Sequence, residues 1–307
     1  MILSVLKAQF LLLLYIVKAQ SVTMSSKKVV EVFPKPRPHW VGDGFHVFPV
    51  FGEKAFTEKI SPFLMFDYAP PKEFPPTSKK LGVGQHPHRG FETVTLALQG
   101  SIDHADSKGH TDTIGPGDVQ WMSAAKGIIH EEFHSREFAK KGGKMEMLQL
   151  WVNLPKAHKY SEPRYQPILD AQIPRVSFDG GYTRIISGSH SGVVGPAKTY
   201  SPVTLFHTVI ESKEETNVIL DSPRGHNALL FAARGNLVVN HHIIEESQVA
   251  LLSPDGDNIA FKASPGAQIF LMGGEPLNEP IAARGPFVCN TEDELMQAVN
   301  DFYNGRF

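Results

Sequence analysis

Short alternating segments divided by glycine turns fill most of this 307-residue chain. Glu92-Thr93-Val94-Thr95-Leu96-Ala97-Leu98-Gln99 alternates and stops at Gly100, and Ile102 to Ala105 reads as the returning strand of a hairpin. Gly115-Pro116-Gly117-Asp118 is a turn leading into a strand at Val119-Gln120-Trp121-Met122. Met145 to Leu154 is a further long strand. The second half repeats this order. Ala228-Leu229-Leu230-Phe231-Ala232-Ala233-Arg234 ends at Gly235, Leu237 to Asn240 answers it, and Ser253-Pro254-Asp255-Gly256-Asp257 echoes the Pro-Gly-Asp turn. The interval from Gly100 to Asp118 is 18 residues, and from Gly235 to Asp257 it is 22. The recurrence predicts one antiparallel β-barrel built twice.

Only near the end does the period change. Leu295, Ala298, Val299 and Phe302 recur at helical spacing after Asn290-Thr291-Glu292-Asp293-Glu294, where Asn290 or Thr291 can cap a helix with acidic residues in its first turn. One amphipathic helix is therefore expected up to about Tyr303. The stretch from Lys156 to Ser201 is rich in proline, glycine and serine and has no long periodic segment. The expected organisation is an N-terminal barrel over 24–155, an inter-domain crossing with local strands over 156–200, and a C-terminal barrel over 201–307 that closes with the helix.

Composition narrows the classes. Charged residues are 20%, apolar ones 41%, and the net charge is −2. This is an ordinary globular balance with no electrostatic case for binding nucleic acid. Ser26-Lys27-Lys28 and Ala139-Lys140-Lys141 are too short for nuclear signals. Cys289 is the single cysteine, so no intrachain disulfide can form, and a reducing compartment is expected. Residues 1–23 read otherwise. Phe10-Leu11-Leu12-Leu13-Leu14-Tyr15-Ile16-Val17 is an apolar run too short to span a bilayer, followed by a cleavage-like Val17-Lys18-Ala19. It is either a signal peptide or a mis-assigned start before Met24. The second reading is preferred because nothing downstream looks secreted. The expected compartment is the cytoplasm, with the nucleus added for a eukaryotic source, and export only if residues 1–19 are a true leader.

The chemistry concentrates in Gln85-His86-Pro87-His88-Arg89-Gly90-Phe91-Glu92 and, about forty positions on, Gly127-Ile128-Ile129-His130-Glu131-Glu132. On a strand, residues i and i+2 share a face, so His86 pairs with His88 and His130 with Glu132. Pro87 fixes the first segment in an extended conformation. Three imidazoles and a carboxylate on one point suit a transition metal with open coordination positions. Strand parity alone leaves the carboxylate open, because Glu92 has the parity of His88 as Glu132 has that of His130. His104, His110, His134, His241 and His242 are expected at the surface or in turns.

His86-Pro87-His88-Arg89-Gly90-Phe91-Glu92-Thr93-Val94, Pro116-Gly117-Asp118-Val119-Gln120-Trp121-Met122, Gly127-Ile128-Ile129-His130 and Leu148-Gln149-Leu150-Trp151-Val152-Asn153-Leu154 resemble the pirin family. So do Gly274-Glu275-Pro276-Leu277 and Gly285-Pro286-Phe287-Val288, and the matches run in order over most of the chain. The resemblance implies an all-β bicupin fold, two jelly-roll barrels with a short C-terminal helix, and one metal in the N-terminal barrel. Its implied ligands are His86, His88, His130 and Glu132, with Glu92 a non-ligand and Glu132 also the base. Iron(II) is the implied ion, and manganese, nickel, copper or cobalt would suit the same donors. The implied activity is that of a quercetinase, an oxidoreductase that cleaves a flavonol with dioxygen. The alternative is an iron-dependent, redox-sensing regulator that binds a protein partner. The chain departs from vertebrate-like pirins at Glu131, at Phe133 and between Lys35 and Tyr68, which bears on the substrate entrance more than on the metal. Arg89 is expected either to steady a carboxylate behind the ligands or to form a structural salt bridge. The substrate cavity is expected to be walled by Val94-Leu96-Leu98 and Leu148-Leu150-Val152. His86 stands 14 residues before Gly100, but the same count back from Gly235 lands on Asp221 with no His-x-His nearby, so the second barrel is expected to hold no metal.

Overall fold

The computed structural model describes residues 25–52 and 59–307, so the apolar leader and Met24 lie outside the described residues. The N-terminal barrel is built from β1 (Phe63–Phe74), β2 (Gly82–His88), β3 (Phe91–Gln99), β4 (Ile102–Asp106), β5 (Thr111–Ile114), β6 (Val119–Ser123), β7 (Ile128–His134) and β8 (Gly143–Asn153). The C-terminal barrel follows with β9 (Val203–Ile210), β10 (Thr216–Asp221), β11 (Asn227–Arg234), β12 (Leu237–Val239), β13 (His242–Ile244), β14 (Val249–Leu252), β15 (Asn258–Ala263) and β16 (Gln268–Gly274). In the first barrel β2-β7-β4-β5 make a four-stranded sheet, and β6-β3-β8-β1 run side by side within a seven-stranded one. In the second, β10-β15-β12-β13 and β14-β11-β16-β9 repeat both orders. The doubled antiparallel barrel expected from the sequence is present strand for strand.

Two local expectations fail for reasons of topology. β3 and β4 follow each other through Gly100, whose φ of 77° turns the chain sharply, yet they do not pair. Both edges of β3 are already taken by β6 and β8, so β4 crosses to the other sheet and pairs with β7 and β5. The Pro-Gly-Asp turns are not equivalent either. Gly115–Asp118 joins β5 to β6, whereas Ser253–Asp257 joins β14 to β15. Sheet membership also crosses the chain order. The strand Val29–Phe33 pairs with β14 of the second barrel, and Arg164–Ile168 pairs with β6 of the first.

The two large sheets pack face to face. Phe66, Val94, Leu96, Trp121, Leu148 and Leu150 of the first meet Leu205, Leu229, Phe231, Phe270 and Met272 of the second in one buried cluster. The Phe231 ring lies edge-on to Phe66 and Tyr68 at 5.0 and 5.3 Å between centroids. Each such side chain contributes on the order of 1.5–3 kcal/mol by leaving water. This packing overturns the expected cavity wall. Val94, Leu96, Leu148, Leu150 and Val152 face the other barrel, and Leu98 packs at the edge of that core. A sheet covered on both sides can turn its apolar row outward, which leaves the intervening, more polar row for the barrel interior.

The C-terminal helix α2 (Glu292–Tyr303) starts where expected, since α1 (Arg136–Lys141) is the only other α-helix among the described residues. Thr291 Oγ1 accepts from the Glu294 N–H, and Glu294 reciprocates onto the Thr291 N–H, a capping box. The segment before α2 folds back onto the first barrel. The Arg89 N–H donates to the Pro286 carbonyl, and the Val288 N–H donates to the Arg89 carbonyl. Gly90, with φ of 87°, has no room for a Cβ, which would lie 1.8 Å from the Val288 oxygen.

Candidate metal centre

β2 is the edge strand of its sheet, so Pro87 removes no ladder hydrogen bond that a further strand would need. β2 lies antiparallel to β7 with His86 opposite His130 and His88 opposite Ile128. On β7 burial alternates, and Ile128, His130, Glu132 and His134 are all buried. The rings of His86, His88 and His130 therefore converge. Their centroids are 4.3 to 4.8 Å apart, and one ligand nitrogen from each lies within 4.8 Å of the others.

Both inner rings are neutral. Burial, then the His86 ring, holds His88 well below the ordinary imidazole value. Burial, then His88, His86 and His104, does the same for His130. Neutral imidazoles keep a lone pair free for a metal. His86 Nδ1 lies 2.8 Å from the Gly84 carbonyl and donates to it, which leaves Nε2 as the donor atom. Nδ1 of His88 and both ring nitrogens of His130 are buried without a hydrogen-bond partner. Buried polar atoms of that kind call for an explanation, and an ion bound among the rings supplies one. The donor set suits a transition metal.

Glu132 lines the same cavity as His86 and His88 but is not among the clustered ligand atoms. Its Oε1 accepts from Thr95 Oγ1 at 3.0 Å and from Gln120 Nε2 at 3.3 Å. Its Oε2 makes no hydrogen bond among the described residues. Thr95 also lies 2.7 Å from Gln149 Oε1. The hydroxyl has one proton, so Gln149 must present its amide N–H to Thr95 when Glu132 takes it. Glu92 is elsewhere. It accepts from Ser123 Oγ, lies 3.8 Å from Arg164 and does not line the cavity. The parity argument for it fails at Gly90, where the chain leaves one sheet for the other.

The cavity holds about 320 Å³, and Phe45, Val47, Met65, Met147 and Trp151 give it an apolar wall. Behind Glu132 lies a polar layer that the sequence reading missed. His104 and His134, expected at the surface, are buried. β4 places His104 opposite Glu132 and stacks it on Tyr165 at 4.8 Å. His134 Nε2 donates to the Gly44 carbonyl. Asp106 lies 3.3 Å from His104 Nε2 and 2.9 Å from His110 Nδ1. Burial alone would raise Asp106, but hydrogen bonds from the His110 and Lys108 backbone and from both rings hold it below the usual carboxylate range. His110, His241 and His242 remain accessible, as expected. The signal for the polar layer was present in Thr95, Gln120 and Gln149, each polar between apolar neighbours on its strand. Arg89 takes the structural role. Its Nη1 donates to Asp301 of α2 at 2.8 Å, and the Phe307 ring lies 4.4 Å from the guanidinium carbon.

The comparisons with known proteins agree with this geometry. Residues 44–152 match the Pirin family model, and residues 208–307 match that of the pirin C-terminal cupin domain. The chain is 48% identical over 283 residues to a Pseudomonas aeruginosa protein named "Putative quercetin 2,3-dioxygenase PA2418", covering 92% of this chain and 98% of that one. A crystal structure of a quercetin 2,3-dioxygenase from Acinetobacter baumannii superposes with a TM-score of 0.89 at 44% identity, covering 92% and 99%. The bacterial pirin YhhW from Escherichia coli, solved in complex with nickel(II), matches with a TM-score of 0.60 at 17% identity, covering 80% and 100%, and supports the fold alone.

Proposed function

The chain belongs to the pirin family, and on that premise we propose that it is a metal-dependent dioxygenase that cleaves a flavonol such as quercetin. The observation that carries the reading is the convergence of three histidine rings beside Glu132 at the end of an apolar cavity. His86, His88, His130 and Glu132 would hold one ion, iron(II) first among manganese, nickel, copper and cobalt. When bound, such an ion supplies Lewis acidity and redox chemistry toward a chelating substrate and dioxygen.

The protein residues do the rest. Met65, Val47 and Trp151 offer an apolar wall to a flat aromatic ligand and exclude water. Thr95 and Gln120 hold one oxygen of Glu132 and so orient the carboxylate. Its other oxygen is then free to face the ion or, in turn, to accept the proton of the flavonol 3-hydroxyl, the two roles proposed for Glu132. The test follows flavonol absorbance with purified protein. The decay should require dioxygen and metal, and it should vanish in Glu132→Gln. Equal loss with metal-free protein would mean ordinary autoxidation and would favour the protein-binding regulator. Elemental analysis of protein purified without added metal identifies the ion. No helix among the described residues is long and apolar enough to cross a membrane.

A further inference from the structure

The metal cavity does not end at its own wall. A second cavity of about 680 Å³ adjoins it, and the two share Met65, Asp67 and Trp151 as a partition. Phe33, Pro36 and His39 of the N-terminal arm wall the outer cavity, together with Phe51. The arm reaches this place because Phe33 is paired with Val249 of the C-terminal barrel while His39 is paired with Val47 of the N-terminal one.

Asp67 is the one charged residue in that partition. β1 and β8 set it directly opposite Gln149, on the row that carries Met65 and Trp151. Among the described residues its carboxyl makes no hydrogen bond and no ion pair, whereas Gln149, Thr95, Gln120 and Glu132 along the same floor are linked to one another. A carboxyl left without a partner between two cavities points to a ligand group that completes it. The inner cavity is at the small end of the range for ligand sites, so a ligand of two linked ring systems would extend past the partition.

We propose that Asp67 is a specificity-determining residue: it hydrogen bonds a hydroxyl on the ring that projects from the metal cavity into the outer one. The substrate class is then a chelating phenolic with a hydroxylated pendant ring, not the chelating core alone. Burial pushes the Asp67 carboxyl up to about 7. Near neutral pH it can therefore donate to a phenolic oxygen as an acid or accept from the hydroxyl as a carboxylate. The inference rests on the flavonol reading of the metal site.

Equilibrium binding without turnover tests it. Metal-loaded protein is titrated anaerobically with three flavonols that share the 3-hydroxy-4-keto core, namely galangin, kaempferol and quercetin, with zero, one and two pendant-ring hydroxyls. The wild type should bind the hydroxylated pair about tenfold more tightly than galangin, the worth of one good hydrogen bond. Asp67→Leu should bind all three within about twofold, with galangin affinity and metal content unchanged. Asp67→Asn, which keeps a hydrogen-bonding group, should retain most of the preference. If Asp67→Leu keeps the full preference, or weakens all three equally, the role of Asp67 is overturned while the flavonol site stands. If the wild type binds none of the three, both are overturned.

Discussion

In the C-terminal barrel β10 turns Val218 and Leu220 inward, β15 turns Ile259, Phe261 and Ala263, and β11 turns Ala228, Leu230 and Ala232, all buried in one apolar cluster. The strands in the same places of the N-terminal barrel present His86 and His88, His130 and Glu132, and Thr95. One barrel is filled, and the other encloses a cavity and a linked polar floor. The comparison separates what the fold requires from what the site requires. Strand order and turns are common to both, so neither the histidines nor the polar floor is needed to make a barrel. A polar interior forfeits the burial energy that the filled barrel gains. The hollow barrel recovers stabilisation through its large sheet, whose other face is covered by the filled barrel. It is also braced from outside, where Lys159 Nζ donates to the Gly90 carbonyl and to Asn153, and Arg89 pairs with Asp301.

The sharpest way to break this contrast is to remove a ligand. His88→Ala should lose nearly all bound metal, because deleting one of three clustered rings opens the site. Full retention of metal by elemental analysis would refute the assignment. Glu92→Gln should keep the metal while Glu132→Gln loses metal or activity, and the reverse result would restore Glu92 as the carboxylate ligand. No inward substitution in the C-terminal barrel that leaves the protein folded should change metal content.

A smaller effect probes packing. Leu230→Ala in the filled barrel should cost about 3–5 kcal/mol, since its surroundings are close-packed and the void persists. Met147→Ala should cost roughly 2 kcal/mol, because Met147 already borders the cavity and loses fewer contacts. Denaturant unfolding of the two variants measures the difference. Equal losses would mean that the N-terminal interior is as tightly packed as the C-terminal one.

The contrast also explains what the sequence could and could not reveal. The three histidines were legible because His-Pro-His and Gly-x-x-His fix local geometry, whatever packs around them. The doubling of the barrel was legible in its strand and glycine order. The cavity wall was not, because alternation says which residues share a face but not which face meets solvent, a ligand or a second sheet. Val94, Leu96, Leu148 and Leu150 look like a barrel lining until the partner barrel is present to cover them. The same ambiguity hid Thr95, Gln120 and Gln149. Asp67 was hidden by distance, since it meets Gln149 only across strands far apart in the chain, and so was the place of His104 opposite Glu132.

The smallest effect places a pH dependence in the hollow barrel. Glu92 is buried at the start of β3, and burial pushes its carboxyl up to about 7, with Ser123 and Arg164 pulling less strongly the other way. The folded state therefore holds this proton more tightly than the unfolded chain, whose carboxyl has the ordinary value of 4.5. The stability it contributes is fully present below 4.5 and is lost as pH rises through about 7. His88 and His130 act oppositely, because their depressed values cost stability as pH falls. Wild type alone would show only the sum. Glu92→Gln keeps a neutral group beside Ser123 and leaves the histidines as they are, so the difference between variant and wild type isolates Glu92. That difference should grow by up to about 1 kcal/mol per pH unit between 4.5 and 7 and then level off, with the variant the more stable protein above pH 7. Urea unfolding of both proteins across that range reads it directly. A difference that does not change with pH would mean that Glu92 is ionised in the folded barrel, with Arg164 and Ser123 outweighing its burial.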